Sequence, residues 1–233
     1  MKKVIVLFII LSFSFSLAAQ HHSSRYFETV IIGGGGFANN LRLADWQNLQ
    51  YDAAKIFLGG NLQEEEKKEA VVYSSIRLEQ RFYTGNLVFA PAIAYYQTTR
   101  GEREVIGNTG SYYNQAELKT FSLQSTIYYR IGNIQSNYVL LGGGLGYYQG
   151  TLKLEYGFND SLSRNEGSGW TMGWHSGMEY NHSFGNIVLK AGLISRFAEI
   201  YELEVENNQN TKIYDSGASL TGISLYAGLG YRF

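Results

Sequence analysis

The sequence predicts an all-β fold: an eight-stranded antiparallel up-and-down transmembrane β-barrel with protruding outer hairpins. Three observations carry that prediction. First, apolar residues alternate with polar or small ones. In residues 223–233, I-S-L-Y-A-G-L-G-Y-R-F, one face holds Ile223, Leu225, Ala227, Leu229, Tyr231 and Phe233. Second, short turns and long polar connections alternate along the chain, the layout of a barrel with short turns on one side of a bilayer and longer loops on the other. Third, aromatic residues recur at two depths about ten residues apart. Ten strand residues at ~3.3 Å, tilted by ~40°, span about 25 Å, the height of an apolar band between aromatic girdles.

Composition agrees. The chain has one proline, no cysteine, 27 glycines and 19 tyrosines, which suits strands joined by tight turns and excludes disulfides and thiolate metal sites. A formal net charge of -1 gives no electrostatic case for nucleic acid. Residues 1–19 read as a cleavable signal: Lys2 and Lys3, an apolar run to Leu17, then Ala18 and Ala19. An uncleaved anchor is the alternative, but the run is short for a span. Residues 20–25, with His21 and His22, form a short N-terminal tail and are not read as a metal site.

The barrel is expected over residues 26–233, with strands near 26–38, 70–83, 87–97, 116–131, 137–156, 169–181, 187–203 and 217–233. Short turns fall at residues 84–86, 132–137 and 184–186. The first long loop, residues 39–69, contains the one helical pattern. Asp45 would cap it, Trp46, Leu49, Ala53 and Ile56 would share a face, and Gly59-Gly60 would stop it. Tight tips at residues 107–111, 159–160 and 207–210 would let strands three to eight rise well beyond the bilayer. Disordered outer loops are the alternative.

Within each strand one face is apolar and nearly free of charge. The other carries Arg77, Glu79, Arg81, Gln124, Arg130, His175, Glu179, Lys190, Arg196 and Arg232. Aromatics expected near the short turns include Phe82, Tyr83, Tyr128, Tyr129, Tyr138, Tyr180, Phe184, Tyr231 and Phe233. The upper set includes Phe37, Tyr73, Tyr95, Phe121, Tyr147, Trp170 and Phe197. Matching heights favour lipid around the apolar face over a secreted sandwich or lipocalin-like barrel. The charged face then lines a lumen that side chains fill, so its charges are expected to pair as a structural polar plug rather than to form a selective pore. Glycines 33–36 and 142–144 lack the context of a phosphate loop and are read as room for large lumen neighbours, Tyr148 and Tyr226 among them.

With these features in place, the chain resembles the small eight-stranded outer-membrane barrels of Gram-negative bacteria, the OmpA, OmpX/Ail and OmpW kind, grouped as outer membrane protein beta-barrel domains. The motif Tyr226-x-Gly228-x-x-Tyr231-x-Phe233 is similar to the C-terminal signal read by the barrel-assembly machinery. The resemblance implies an outer-membrane location and, as partners, outer-membrane lipid, lipopolysaccharide, the assembly machinery and a surface protein. It implies no cofactor. The Ala-Ala-Gln end of the signal suggests Bacteroidetes.

The leading functional reading is a non-enzymatic surface or envelope role through the outer loops. The alternatives are OmpW-like passage of small solutes, a lipid-modifying enzyme, and an accessory barrel of a secretion system. The enzyme reading has little support. His175-Ser176 and His182-Ser183 are strand neighbours that point to opposite faces, and Glu179 stands ~13 Å from His175 along the strand.

Overall fold

A computed structural model of the chain describes residues 26–39, 51–59, 63–64, 70–159, 161–200, 204–206, 212–213 and 218–233. The signal and tail, Asp45, Trp46, Leu49, Gly60 and the tip at residues 207–210 lie outside the described residues.

Eight long strands run in chain order: β1 Phe27–Asn39, β2 Ala70–Thr84, β3 Leu87–Gly107, β4 Gly110–Gly132, β5 Asn137–Phe158, β6 Ser161–Phe184, β7 Ile187–Phe197 and β8 Gly222–Arg232. Each pairs antiparallel with its sequence neighbours. β1 then closes on β8, from Glu28↔Arg232 to Ala38↔Gly222. Closure leaves no sheet edge inside the bilayer, which a membrane-spanning sheet requires. The β2–β3 and β6–β7 turns place Gly85 (φ 58) and Gly185 (φ 62) in the left-handed region that two-residue hairpin loops demand.

The one proline leaves its mark on this wall. The β2–β3 ladder runs from Tyr73↔Thr98 to Glu79↔Ala92 and resumes at Phe82↔Phe89. It lapses opposite Pro91, which has no N–H to give.

β3 to β6 are 21 to 24 residues long, against 11 for β7 and β8. At ~3.3 Å per residue and ~40° tilt the longest rises about 60 Å, more than twice the apolar band. The strand cores read from the sequence end near residues 97, 116 and 169, and for β3 to β6 the protruding continuation expected beyond them is present: pairing runs on from Thr120↔Gly150 to Tyr112↔Phe158 and from Gly150↔Gly169 to Phe158↔Ser161. β7 does the opposite. It stops at Phe197 instead of running to residue 203, and Glu199–Ile200 pairs with Ala218–Ser219. Tyr201 and Leu203 lie outside the described residues. Glu204–Glu206 crosses to pair with β6 at Ser168 to Glu166.

The two faces exchange character along one strand. On β4, Phe121, Ile127 and Tyr129 face outward and are exposed, while Ser122, Gln124 and Thr126 face inward and are buried. One step above Phe121 the pattern inverts. Glu117 and Lys119 now face outward, bonded at 3.0 Å, and Ala116 and Leu118 are buried inside. Hydrogen bonding to Glu117 raises the pKa of the Lys119 ammonium. On the neighbouring strands the outer face likewise carries Lys153–Glu166 and Arg164–Glu155 pairs. A lower zone that is apolar outside and polar inside, joined to an upper zone of the reverse pattern, is a strand passing from lipid into water.

The aromatic girdles need correction. Tyr83, Tyr128 and Tyr138 point into the lumen, as does Tyr73, and all are buried. Their parity assigns them to the inner face, and height alone misassigns them. The outward lower girdle is Phe82, Tyr129, Tyr180, Phe184, Tyr231 and Phe233, with Phe27 edge-on to Phe82 at 5.5 Å. The upper girdle includes stacked pairs Tyr147–Trp170 at 5.7 Å and Trp174–Phe197 at 4.0 Å.

Among the described residues a helix, α1, covers residues 51–58 and ends at Gly59 (φ 55). Its buried face is Tyr51, Ala54 and Leu58, not Ala53 and Ile56. Ile56 is 82% exposed. The buried set packs on Val105 and Tyr112, inside the protruding sheet.

Candidate functional site: the filled lumen and the distal hairpins

The lumen is built in layers. Tyr83, Val88, Tyr128, Tyr138, Leu140 and Val188 form an apolar floor at the short-turn end, and Ile134 of the β4–β5 turn folds into it. Arg232 donates to the Ile134 carbonyl at 2.9 Å and to the Tyr138 hydroxyl at 3.1 Å, tying that turn to β8.

Above the floor lies the charged layer. Arg81 makes a two-pronged bond to Glu179, at 2.6 and 2.8 Å, and also donates to Glu79. Arg77 pairs with Glu79 at 3.2 Å. Lys190 reaches Glu28 at 2.6 Å, Glu179 at 3.7 Å and the Asn181 amide oxygen at 2.7 Å. The Tyr226 hydroxyl donates to Glu179 at 3.1 Å, and Tyr83 donates to Glu28. These charges are buried together, which is tolerated only because each acid meets a base or a hydroxyl.

Three further predicted residues join through other chemistry. Arg196 meets no carboxylate among the described residues. It donates to the hydroxyls of Tyr73 at 3.1 Å and Tyr96 at 3.0 Å, with its guanidinium 4.2 Å from the Tyr96 ring centroid. Gln124 donates to the same Tyr96 oxygen at 2.6 Å. His175 shares a 2.8 Å hydrogen bond with Thr126 and sits deep in the lumen, while His182 lies at the short-turn rim beside Asn137. Neither is bonded to a carboxylate among the described residues.

Arg130 stands apart. It is half-buried and donates to Asn86 of the β2–β3 turn at 3.2 Å, so it belongs to the rim and not to the lumen cluster. Its strand parity is that of the lumen face, but Arg130 lies too near the end of its strand to reach the carboxylates. Glu28 is the residue that sequence reading missed. It lies on β1, whose charged face shows only this one acid, so the alternation there gave no cluster to notice.

Glycines make the tyrosine sites. A Cβ at Gly34 would meet Tyr226 at 2.8 Å, at Gly192 the Tyr226 hydroxyl at 2.6 Å, and at Gly146 the Tyr148 ring at 2.8 Å. Gly142→Val would drive its Cβ into the Ile127 carbonyl and to 2.5 Å from the Tyr128 ring. That change is expected to destabilise the refolded barrel by about 1–3 kcal/mol. Gly33→Ala, with nothing within 4 Å, should change stability by well under that. Urea unfolding in detergent micelles, followed by tyrosine and tryptophan fluorescence, compares the two.

Above the charged layer comes a second apolar layer, of Leu118, Tyr148, Leu152, Leu154, Ile200 and Leu220 among others. Ile200, shortly after β7, and Leu220, shortly before β8, join this layer. Above that, α1 covers the inner face of the hairpins. A cavity of about 350 Å³ remains between α1 and β4–β6, walled by Phe57, Tyr112, Tyr156 and Phe158.

These features define a small lipid-facing β-barrel whose lumen is occupied by side chains. No family model matches the sequence, and no curated protein matches it. Among solved structures, it is similar to the attachment invasion locus protein Ail of Yersinia pestis, at 13% identity over 89% of this chain and 98% of that one, with a TM-score of 0.41. It is also similar to a major outer membrane protein from Thermus thermophilus, at 12% identity over 89% and 99%, with a TM-score of 0.44. Likeness at that level concerns the fold alone. The barrel class rests on the closed ring of strands and on the apolar band around it.

Proposed function

We infer that the protein is a non-enzymatic outer-membrane barrel that works at the cell surface through its protruding hairpins. The observation that carries this reading is the division of the molecule. Its membrane zone is filled by apolar and paired polar layers, while the elements that extend furthest hold a helix, a cavity and exposed aromatic side chains. A lumen packed this way is a scaffold, and variable chemistry belongs to the distal end. Lipopolysaccharide and outer-membrane lipid are the expected surroundings, and a surface protein the expected partner. Among the described residues, the outer sides of the upper parts of β3 and β6 pair only at residues 105–106 and 166–168, and strand edges of that kind favour pairing with an extended segment.

Two measurements test this reading. Planar-bilayer recordings should give no discrete current from the wild type, and none from Arg77→Ala. Steady single-channel steps in the wild type would instead favour solute passage. Replacing residues 98–119 and 150–169 with tight turns should abolish surface binding or adhesion and leave the membrane zone folded; an unchanged phenotype would remove the surface role.

Assembly is a separate proposal. Tyr226, Gly228, Tyr231 and Phe233 form the segment by which the assembly machinery would hold β8 before it closes on β1. Phe233 is 71% exposed, and its ring touches only Tyr231 among the described aromatic pairs. Phe233→Ala is therefore expected to lower the outer-membrane level several-fold while shifting the in vitro unfolding midpoint little. Normal levels would end the signal reading.

A further inference from the structure

The cavity beneath α1 is a built, neutral, aromatic site on the aqueous side. Its lining has no charged side chain among the described residues: Phe57, Tyr112, Tyr156 and Phe158 supply rings, and Ser161 and Ser163 supply hydroxyls. The rings are held in place. Tyr112 and Phe158 centroids are 5.0 Å apart, and Phe57 meets Phe158 edge-on at 6.5 Å. The Tyr112 hydroxyl accepts from Asn114 at 3.3 Å, and that of Tyr156 accepts from Asn165 at 3.0 Å. Both asparagines are buried. Burial pushes the Tyr112 phenol above its usual pKa, so it stays a neutral hydroxyl.

The cavity also opens to water. Phe57 is 74% exposed and Phe158 40% exposed, although the charged belt of Glu117, Lys119, Lys153 and Glu155 separates both from the lipid-facing band. Aromatic surface left in water at a cavity mouth marks a binding surface. About 350 Å³ lies at the lower end of ligand-pocket volumes, ~300–1,000 Å³.

We propose that this cavity binds a neutral, hydroxyl-bearing ring with one apolar face, a single pyranose unit of a glycan. The apolar face stacks on the aromatic wall, and the ring hydroxyls face Ser161, Ser163 and the open rim. A charged sugar finds no counter-charge in the lining, and a wholly apolar ring leaves the serines idle. This inference rests on the reading that the distal hairpins are the binding element.

Saturation-transfer NMR on the refolded protein in nanodiscs tests it, with methyl α-glucopyranoside, methyl α-mannopyranoside and methyl β-galactopyranoside as neutral probes, and phenol as the apolar control. The expected result is transfer to the ring protons of at least one glycoside, reduced at least fivefold in Phe158→Ala and in Phe57→Ser. Both variants should keep the wild-type heat-modifiable gel mobility, since both side chains are exposed. No transfer to any glycoside, equal transfer in the two variants, or transfer to phenol alone overturns the proposal. Repeating the titration in discs containing lipopolysaccharide separates the sources. Competition there assigns the site to the protein's own membrane glycolipid, and undiminished glycoside binding assigns it to an external glycan. Failure here leaves the surface role standing, because that role is read from hairpin replacement and not from sugar binding.

Discussion

Glu179→Ala is expected to destabilise the folded barrel by about 3–5 kcal/mol, the cost of breaking a buried ion pair from one side. Glu179 accepts both prongs of Arg81, stands 3.7 Å from Lys190 and accepts from Tyr226. Removing it leaves Glu79 and Glu28 as the remaining acids of the lumen cluster, against Arg77, Arg81 and Lys190. The excess positive charge is then buried without a counter-charge. The readout is the urea midpoint of protein refolded into detergent micelles, with gel mobility as a second probe. Glu179→Gln keeps the shape and loses the charge, so it should fall between wild type and alanine. Coupling Glu179→Ala with Lys190→Met should recover part of the loss, since the two positions share a network. A Glu179→Ala midpoint equal to that of an exposed control such as Ser168→Ala, where changes within about ±0.5 kcal/mol are usual, would show that the lumen charges are not a paired plug.

Much of this arrangement was legible in the sequence because strand parity is a two-state variable. Once Arg77, Glu79 and Arg81 alternate with Ile76, Leu78 and Gln80, a single decision about which face meets lipid assigns every strand. The glycines beside Tyr148 and Tyr226 were also legible, since a small residue opposite a large one is needed in a narrow bore. What failed was information that parity does not carry. Height along a strand set Tyr83, Tyr128 and Tyr138 in the girdle, although their parity matches Arg81, Thr126 and Leu140 in the lumen. The face of α1 was misread because its apolar residues, Ala53, Ile56 and Phe57 as well as Tyr51, Ala54 and Leu58, surround the helix. Only contact with Val105 and Tyr112 selects one side. The aromatic cavity was invisible for a related reason. Phe57 lies far in sequence from Tyr112, Tyr156 and Phe158; the extended β4–β5–β6 pairing gathers those three, and the packing of α1 on Val105 and Tyr112 brings Phe57 to them.

The identity of the solvent around the lower barrel has its own decisive variant. Ile31 lies on the outer face of β1 between Phe27 and Phe37, paired with Leu78 on one side and Leu229 on the other. It is 57% exposed to whatever surrounds the barrel. If that medium is lipid, Ile31→Arg places a charge near the middle of the apolar band and should cost about 2–4 kcal/mol. If it is water, the same change swaps an exposed isoleucine for a solvated side chain and costs almost nothing. The size of the loss thus depends on the environment and not on local geometry. Ser168→Arg, one step above Trp170 on the outer face of β6 and already beside Glu166, is the matched control and should be neutral in either medium. Unfolding both variants in phosphatidylcholine vesicles gives the comparison. A large loss for Ile31→Arg with none for Ser168→Arg fixes the upper edge of the bilayer between Trp170 and Ser168. Equal, small effects would mean that the apolar band does not face lipid, and the barrel would have to be a soluble one with an unusually apolar exterior. The inversion on β4 argues for the first outcome. Lys119 and Glu117 occupy the outer face directly above Phe121, and Leu118 and Ala116 turn inward at the same height. A strand bathed in one solvent has no physical reason to exchange its faces at that point.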